Sequence, residues 1–356
     1  MSFPAYILRR LLLIIPTFIG ISIINFGVFQ IAPGGPVETY LAKVRFSGAA
    51  GAGQSGGVSE SSSMSGSSSN KAVTDEVIEE IKKRYNFDKP IHVRYWLWLK
   101  DVLRLEFGYS YTKGEPVIDV ILSKLPVSLT FGITSFFLTY LICIPLGILK
   151  AVRDGSKFDI ATSTGLFVAY SVPEFMLGIL LIHFLAGGQF VEWFPLQGLS
   201  SLDAETWPWW QQLADAAWHM VLPLTCYMIG AFTIMTMLMK NSIIEQIKQD
   251  YVRSALARGV TRQKAILKHA LRNALLPLVT GFGAILTLAF SGSILIERIF
   301  NLDGVGRLSL EASLQRDYPI LMAAITIGSV LGLLGQLLSD ILLRVVDPRI
   351  DFSKKD

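Results

Sequence analysis

Residues 127–149 read VSLTFGITSFFLTYLICIPLGIL, a stretch with no acidic or basic side chain. It exceeds the roughly 20 residues that a helix needs to cross the hydrocarbon layer of a bilayer. Five further apolar runs accompany it: Leu11 to Ala32, Ile160 to Ala186, His219 to Met239, Leu275 to Ile296 and Ile320 to Leu343. In lipid every backbone polar group has to be satisfied within the segment itself, so each run reads as a helix. The first run is longer than the roughly 7–15 apolar residues of a cleaved leader and reads as an uncleaved span. The expectation is an all-α polytopic membrane protein with six transmembrane helices.

Composition agrees. Of the 356 residues, 51% are hydrophobic and 17% charged, with a net charge of +4, and the mean hydropathy is +0.48. A soluble domain carries about a quarter of its residues as charges. Neither cysteine, Cys143 or Cys226, belongs to a CxxC pair, and both sit in apolar runs. They read as small buried hydrophobes rather than as a disulfide or zinc framework.

Charge placement orients the spans. With the N-terminus inside, Arg9 and Arg10, then Lys150, Arg153 and Lys157, fall on the cytoplasmic side. So does the segment 240–273, where Lys240, Lys248, Arg253, Arg258, Arg262, Lys264, Lys268 and Arg272 outnumber Glu245 and Asp250. The short outer loop from Gly187 to Trp218 has no Lys or Arg but contains Glu192, Asp203, Glu205 and Asp215. This is the positive-inside distribution, from which long translocated loops are largely exempt. The chain therefore divides into residues 1–32, a cytoplasmic end and first span; 33–126, an outer segment; 127–343, a core of five spans with the cytoplasmic loop 240–273; and a cytoplasmic tail, 344–356. Both termini are expected inside.

Within the outer segment, residues 47–70 are almost entirely Gly, Ser and Ala, too poor in apolar surface to fold. Their GxGxxG match, at Gly51, Gly53 and Gly56, lacks the preceding strand and following helix of a dinucleotide site. A small helical insertion follows. One helix starts near Thr74, with acids Asp75 and Glu76 in its first turn and Val77, Ile78 and Ile81 behind. A second spans Val93 to Leu105, with Trp96 and Trp98 at headgroup level. The insertion reads as a cap over the pore, a docking surface, or both.

The chain has no GxxxxGK[ST] phosphate loop, HExxH or GxSxG motif, so it does not read as an ATPase or a hydrolase. His92, His183, His219 and His269 are scattered and read as structural or surface residues.

The segment between the fourth and fifth spans runs Gln249-Asp250-Tyr251-Val252-Arg253-Ser254-Ala255-Leu256-Ala257-Arg258-Gly259. Tyr251, Val252, Ala255 and Leu256 share one helical face. Ser254, Ala255 and Ala257 are small enough for close approach to a partner. Gly259 is placed to end the helix in a left-handed turn. A basic helix from Arg262 to Arg272 follows, and Leu276-Pro277 opens the next span. A docking element and an ordinary surface loop both fit this pattern.

This segment resembles the EAA loop of ABC importer permeases, with Arg253-Ser254-Ala255 where Glu-Ala-Ala is usual. The substitution and the long gap from Gly259 to Pro277 are similar to the dipeptide/oligopeptide/nickel branch, whose downstream His-Ala-Leu-Arg-Asn-Ala-Leu-Leu-Pro recurs as His269 to Pro277. Other matches are Arg9-Arg10-Leu11, Ala32-Pro33-Gly34, Phe107-Gly108-Tyr109-Ser110, Leu125-Pro126-Val127-Ser128, Glu297 with Phe300, Gly304 and Gly306, Arg316-Asp317-Tyr318-Pro319 and Val346-Asp347-Pro348-Arg349-Ile350. Within the branch, Ala32 to Pro36, the Gly/Ser-rich insertion, Tyr85 to Tyr95 and Asp347 to Phe352 resemble the B-type permeases of Yej peptide importers.

The resemblance implies a type I ABC importer permease fold in the bacterial inner membrane. It implies peptide import by alternating access, with nickel or another small solute as the alternative cargo. The implied partners are a second homologous permease, one or two ABC ATPase subunits that hold ATP and Mg, a periplasmic peptide-binding protein and the lipid bilayer, with no nucleic acid. Asp250, Tyr251, Arg253, Ala255, Arg258 and Gly259 would couple the chain to the ATPase. A membrane enzyme would need a catalytic pair or metal motif in its spans, and none is visible. A membrane-anchored scaffold would need no cytoplasmic docking helix.

Two residue groups carry expectations of their own. Gly328 and Gly332 form a GxxxG pair expected to face another helix. Glu174, near the middle of the third span and beside Pro173, carries a charge that costs roughly 2.5–3.5 kcal/mol at a bilayer centre. It is expected either to line the translocation path, receiving peptide amino termini or basic side chains, or to be fixed by a partner on a neighbouring helix or permease.

Overall fold

The computed structural model describes residues 3–31, 89–187 and 190–346. The Gly/Ser-rich stretch 47–70, the helix expected from Thr74, the Ala32 to Pro36 match and the tail from Asp347 lie outside them. Among the described residues the regular structure is helical, apart from an isolated bridge between Tyr109 and Pro116.

Four helices are long and apolar enough to cross a membrane, and two bent pairs bring the number to six if each pair is one span. The long helices are α1 (Phe3–Ile31), α3 (Val117–Val152), α6 (Trp209–Ile247) and α12 (Tyr318–Val346). One bent pair is α4 (Lys157–Ser171) with α5 (Glu174–Leu185). The other runs from α8 (Arg262–Thr280) into α9 (Ala284–Ser291) and α10 (Ile294–Ile299). The shorter helices are α2 (Ile91–Leu103), α7 (Asp250–Ala257) and α11 (Val305–Gln315).

Several spans depart from the apolar runs. Helix α3 begins ten residues before Val127, because residues 117–126 are amphipathic rather than uniformly apolar. Val117, Val120 and Ile121 are buried, while Asp119 is exposed, and the charges depress the average hydropathy. The third span is broken, not merely kinked: α4 and α5 meet at 98°. Pro173 has no N–H to give and forces the residue before it into an extended conformation, and Val172 has φ −87° and ψ 122°. The fifth span bends by 45° between Thr280 and Ala284. It breaks again at Gly292, whose φ of +60° and ψ of −163° suit glycine alone.

The described chain forms two compact units. The first takes, of the described residues, 3–16, 122–187, 190–310 and 327–346. Its helices approach closely where one of them has a glycine, the usual way to gain van der Waals contact in lipid. A Cβ on Gly147 of α3 would lie 2.6 Å from Met239 Cβ of α6, and one on Gly132 would lie 2.5 Å from Ala289 Cα of α9. The closest approach is Gly283, at the start of α9, against Gly335 of α12, where a Cβ on either residue would overlap the other's carbonyl oxygen. Gly328 and Gly332 also face α9, towards Phe290 and Thr287, but an added Cβ there would meet them at 3.9 and 3.7 Å, ordinary contact. Two apolar clusters fill the unit. One gathers Phe136, Tyr140, Met239, Ile243 and Leu278, the other Phe131, Leu222, Leu224, Ile296 and Phe300. Cys143 and Cys226 are free and buried.

The second unit takes, of the described residues, 17–31, 89–121 and 311–326. Helix α2 packs on α1 through Phe26, whose ring centroid lies 5.6 Å from Tyr95 and 5.5 Å from Trp98. Trp98 is thus a packing residue, while Trp96 is 64% exposed. Ser22 Oγ and Tyr95 OH share a hydrogen bond of 2.8 Å. The buried carboxylate of Asp317 gathers the loop after α2. It accepts from Ser110 Oγ at 2.5 Å, Thr112 Oγ1 at 2.7 Å, Thr112 N at 3.0 Å and Tyr111 N at 3.2 Å. Two sequence matches about 200 residues apart therefore meet in one hydrogen-bonded knot.

Candidate functional site

Helix α7 is a short amphipathic element between two basic helical segments. Gln249 precedes it with extended dihedrals, and Gly259 ends it at φ +88°, the left-handed stop expected from its position. The expected single face divides in two. Val252 and Ala255 are 1% and 2% exposed, turned into the chain, whereas Tyr251 and Leu256 are 39% and 37% exposed. Val252 packs with Ala265, Ala270 and Val260. Ala255 is therefore buried within this chain and does not offer its methyl group to a partner surface. The outer face carries Asp250, Tyr251, Arg253, Ser254 and Arg258.

The outward side chains are lightly tethered. Tyr251 OH donates to Gln246 Oε1 at 2.7 Å and accepts from Asn273 Nδ2 at 3.1 Å. Arg258 Nε donates to Ser254 O at 3.2 Å. Asp250 and Arg253 stand 3.9 Å apart, both exposed, a pairing too solvated to fix either. The segment from Arg262 contains one π-helical turn, Ala265–Ala270, within the stretch expected to be a plain basic helix. Such turns arise where a helix accommodates an insertion and are frequent at functional sites. Ala265 and Ala270 of this turn form the floor under α7.

Glu174 stands at the first turn of α5, at the 98° break rather than beside a kink in a continuous helix. A carboxylate there is favoured by the helix dipole. The side chain is exposed on this chain and points at α6, where a Cβ on Gly230 would lie 2.9 Å from Glu174 Oε1. Among the described residues no hydrogen bond or ion pair reaches it.

Two buried charged groups were legible only as fragments of motif or as loop charges. Glu297 is 0% exposed. Its Oε2 accepts from Arg307 N at 2.7 Å, and its Oε1 accepts from Ser128 Oγ and Tyr227 OH, each at 3.3 Å. Those hydroxyls in turn accept from Val305 N at 2.8 Å and Ser293 N at 2.7 Å. A Cβ on Gly304 would lie 2.6 Å from both Glu297 oxygens, and one on Gly306 would lie 3.1 Å from Oε2. Glu297 thus sits in a cradle that only glycines leave open, tying α3, α6 and α10 together at one end. At the opposite ends of α3 and α6, Lys150 is also 0% exposed and pairs with Asp159, which Lys240 meets from its other oxygen. Among the described residues no group of three or more His, Cys, Asp or Glu side chains could hold a metal ion. His219, 8% exposed, is held by Asp215 at 3.4 Å, a structural contact.

Known proteins are similar to this chain in sequence. The family described as binding-protein-dependent transport system inner membrane component matches residues 143–352, more than half of the chain. The peptidoglycan transport system permease protein YejB of Agrobacterium fabrum is 45% identical over 363 residues, covering 99% of each chain. The inner membrane ABC transporter permease protein YejB of Escherichia coli O157:H7 is 44% identical, covering 98% of this chain and 99% of its own. The oligopeptide transport system permease protein AppB of Bacillus subtilis is 33% identical at the same coverage. Four long apolar helices with two bent pairs, a short helix stopped by a left-handed glycine and full-length similarity to these permeases lead to one conclusion: the chain belongs to the family of binding-protein-dependent transport system inner membrane components, as a multi-pass permease subunit of an ABC importer.

Proposed function

We propose that this permease moves peptides into the cytoplasm as half of a heterodimeric pore. Both termini and the loop 240–273 face the cytoplasm, and the segment 33–126 faces the periplasm. A second, homologous permease completes the pore. ATPase subunits holding ATP and Mg bind below, and a periplasmic peptide-binding protein delivers cargo from above. Closure of the ATPase pair pushes on α7 through Asp250, Tyr251, Arg253 and Arg258, while Ala255 and Gly259 keep the helix flat and correctly ended. The spans then swing between outward and inward access. Glu174, exposed on this chain and unpaired among the described residues, lines the path and receives peptide amino termini or basic side chains.

The observation that carries the cargo assignment is the end-to-end similarity to permeases named for peptidoglycan and oligopeptide transport. The deciding experiment is growth and uptake by cells with and without this chain. Defined oligopeptides, peptidoglycan-derived peptides and nickel are supplied separately. Loss of peptide uptake, restored by the gene, is the expected result. Loss of nickel uptake alone, or of neither, overturns the assignment.

A further inference from the structure

Four charged side chains meet where α3 ends, α4 begins and α6 approaches its end. The three protons of the Lys150 ammonium are fully used: they go to Asp159 O at 3.0 Å, Thr162 Oγ1 at 2.7 Å and Ser163 Oγ at 2.8 Å. Its charge lies 3.1 Å from Asp159 Oδ1 without aiming a proton at it, which is why that oxygen, though buried, accepts no hydrogen bond. The other carboxylate oxygen, Oδ2, accepts from Lys240 Nζ at 2.7 Å and from Gly155 N at 3.1 Å. Lys240 also reaches Asp154 Oδ1 at 2.9 Å. Two cations balance two anions, so the cluster is neutral as a whole.

Such a cluster is a costly way to hold two helices that a short loop already joins. Taking charges out of water seldom adds net stability over an apolar filling, and residues 153–156 already connect α3 to α4. What the loop cannot do is reach α6; Lys240 adds a charged contact there to the apolar packing of Met239 on Gly147. It stands on the helix that runs on to Ile247 and leads within three residues into α7. A displacement of α7 reaches α6 through the chain, and α8 through the packing of Val252 on Ala265 and Ala270. Asp159, gripped by Lys150 on one oxygen and Lys240 on the other, is the charged link from α6 to α3 and α4.

Building on the transport function proposed above, we infer that Asp159, together with Lys150 and Lys240, is a positioning residue of the transport cycle: it makes α3, α4 and α6 move as one body when α7 is pushed. Its role is transmission rather than stability alone. Substitutions that cut the link separate ATP hydrolysis from transport instead of lowering both together.

The test uses the full complex in proteoliposomes, measuring ATP hydrolysis and peptide uptake in the same sample. Lys240→Met removes the charged contact from α6 to Asp159 but leaves the Lys150–Asp159 pair, its hydrogen bonds and the apolar packing of Met239 on Gly147 in place. Asp159→Asn weakens both arms. In each, peptide moved per ATP falls about tenfold, within the usual range of coupling between distant sites, while hydrolysis and assembly persist. Lys240→Arg retains the wild-type ratio. The double variant, Lys240→Met with Asp159→Asn, falls no further than either single variant, because both act through one link. A readout without cargo accompanies these: spin labels at Ile160 and Asn241, both exposed and next to Asp159 and Lys240, keep their separation on nucleotide binding in the wild type and broaden in Lys240→Met. Proportional loss of hydrolysis and uptake, multiplying losses in the double variant, or an unchanged label separation in Lys240→Met overturns the inference. Failure of the wild-type complex to move peptide would instead sink the cargo assignment and leave the label measurement to judge the link.

Discussion

Replacing Gly283 by alanine tests how the fifth and sixth spans pack. The new Cβ would overlap the Gly335 carbonyl oxygen and sit 2.7 Å from Ser339 Oγ. Carbon–oxygen contacts relax only at about 3.3 Å, so α9 and α12 must part by more than ~1 Å. That movement strains two bonds through one hydroxyl: Gly283 N donates to Ser339 Oγ at 2.8 Å, and Ser339 Oγ donates to Thr280 O at 2.8 Å. Overpacking costs about 1–3 kcal/mol, and hydrogen bonds between membrane helices average about 0.6 kcal/mol, which together give a loss of about 2–4 kcal/mol. Gly328→Ala is the control, because its Cβ would meet Phe290 Cδ1 at 3.9 Å and alanine improves helix propensity by about 1 kcal/mol. Thermal midpoints of the detergent-purified proteins provide the measurement. At roughly 2–4 °C per kcal/mol, Gly283→Ala is expected to fall by at least ~4 °C while Gly328→Ala stays level or rises. Equal midpoints, or a larger loss in Gly328→Ala, would show that the GxxxG pair rather than Gly283–Gly335 sets the helix spacing.

Three further outcomes are expected. Glu297→Ala leaves Arg307 N, Ser128 Oγ and Tyr227 OH short of an acceptor, at about 1–3 kcal/mol for each group left buried and unpaired. Its thermal midpoint should drop well below that of Glu297→Gln, which keeps one acceptor oxygen, and equal midpoints would argue against the cradle. Gly259→Val resists φ +88°, and Ala255→Trp forces an indole into a place where the alanine is 2% exposed. In both, peptide uptake should fall with normal membrane insertion, and unchanged uptake removes the coupling role. Glu174→Gln should reduce uptake of basic peptides selectively, whereas equal loss for basic and neutral peptides, or none, rejects the contact with cargo.

The spans were legible because hydrocarbon thickness imposes a length on any helix that crosses it, and Gly259 because the left-handed turn after a helix favours one residue type. Hydropathy averaging hid the start of α3, since Asp119 and Lys124 mask the buried face of Val117, Val120 and Ile121. Pro173 announced a bend but not its size, which depends on what α5 packs against. On α7 the periodicity grouped Ala255 with Tyr251, yet only tertiary packing decides which half of a face turns inward. Gly283 and Gly335 form no short motif, because their meeting is set by the bend after Thr280. Lys150 read as an ordinary loop charge, since its burial depends on Asp159, Thr162 and Ser163 arriving from the next helix. Asp317 and Ser110 met through a separation of 207 residues, beyond the reach of local pattern.

The break at Pro173 also bears on how the chain sits in lipid. Helix α4 has 15 residues and α5 has 12, so they extend about 22 and 18 Å, each short of a hydrocarbon layer of about 30 Å. Bent at 98°, the two do not add their lengths along one axis. Alone in a bilayer, this part of the chain is a hydrophobic mismatch: lipids beside it must thin, at fractions of a kcal/mol per Å, or water must enter at the break. Covering that face with protein removes the deformation. If the second permease proposed above covers that face, assembly relieves a membrane-elastic penalty of the lone chain, and a thinner bilayer should tolerate the unassembled chain better than a thicker one.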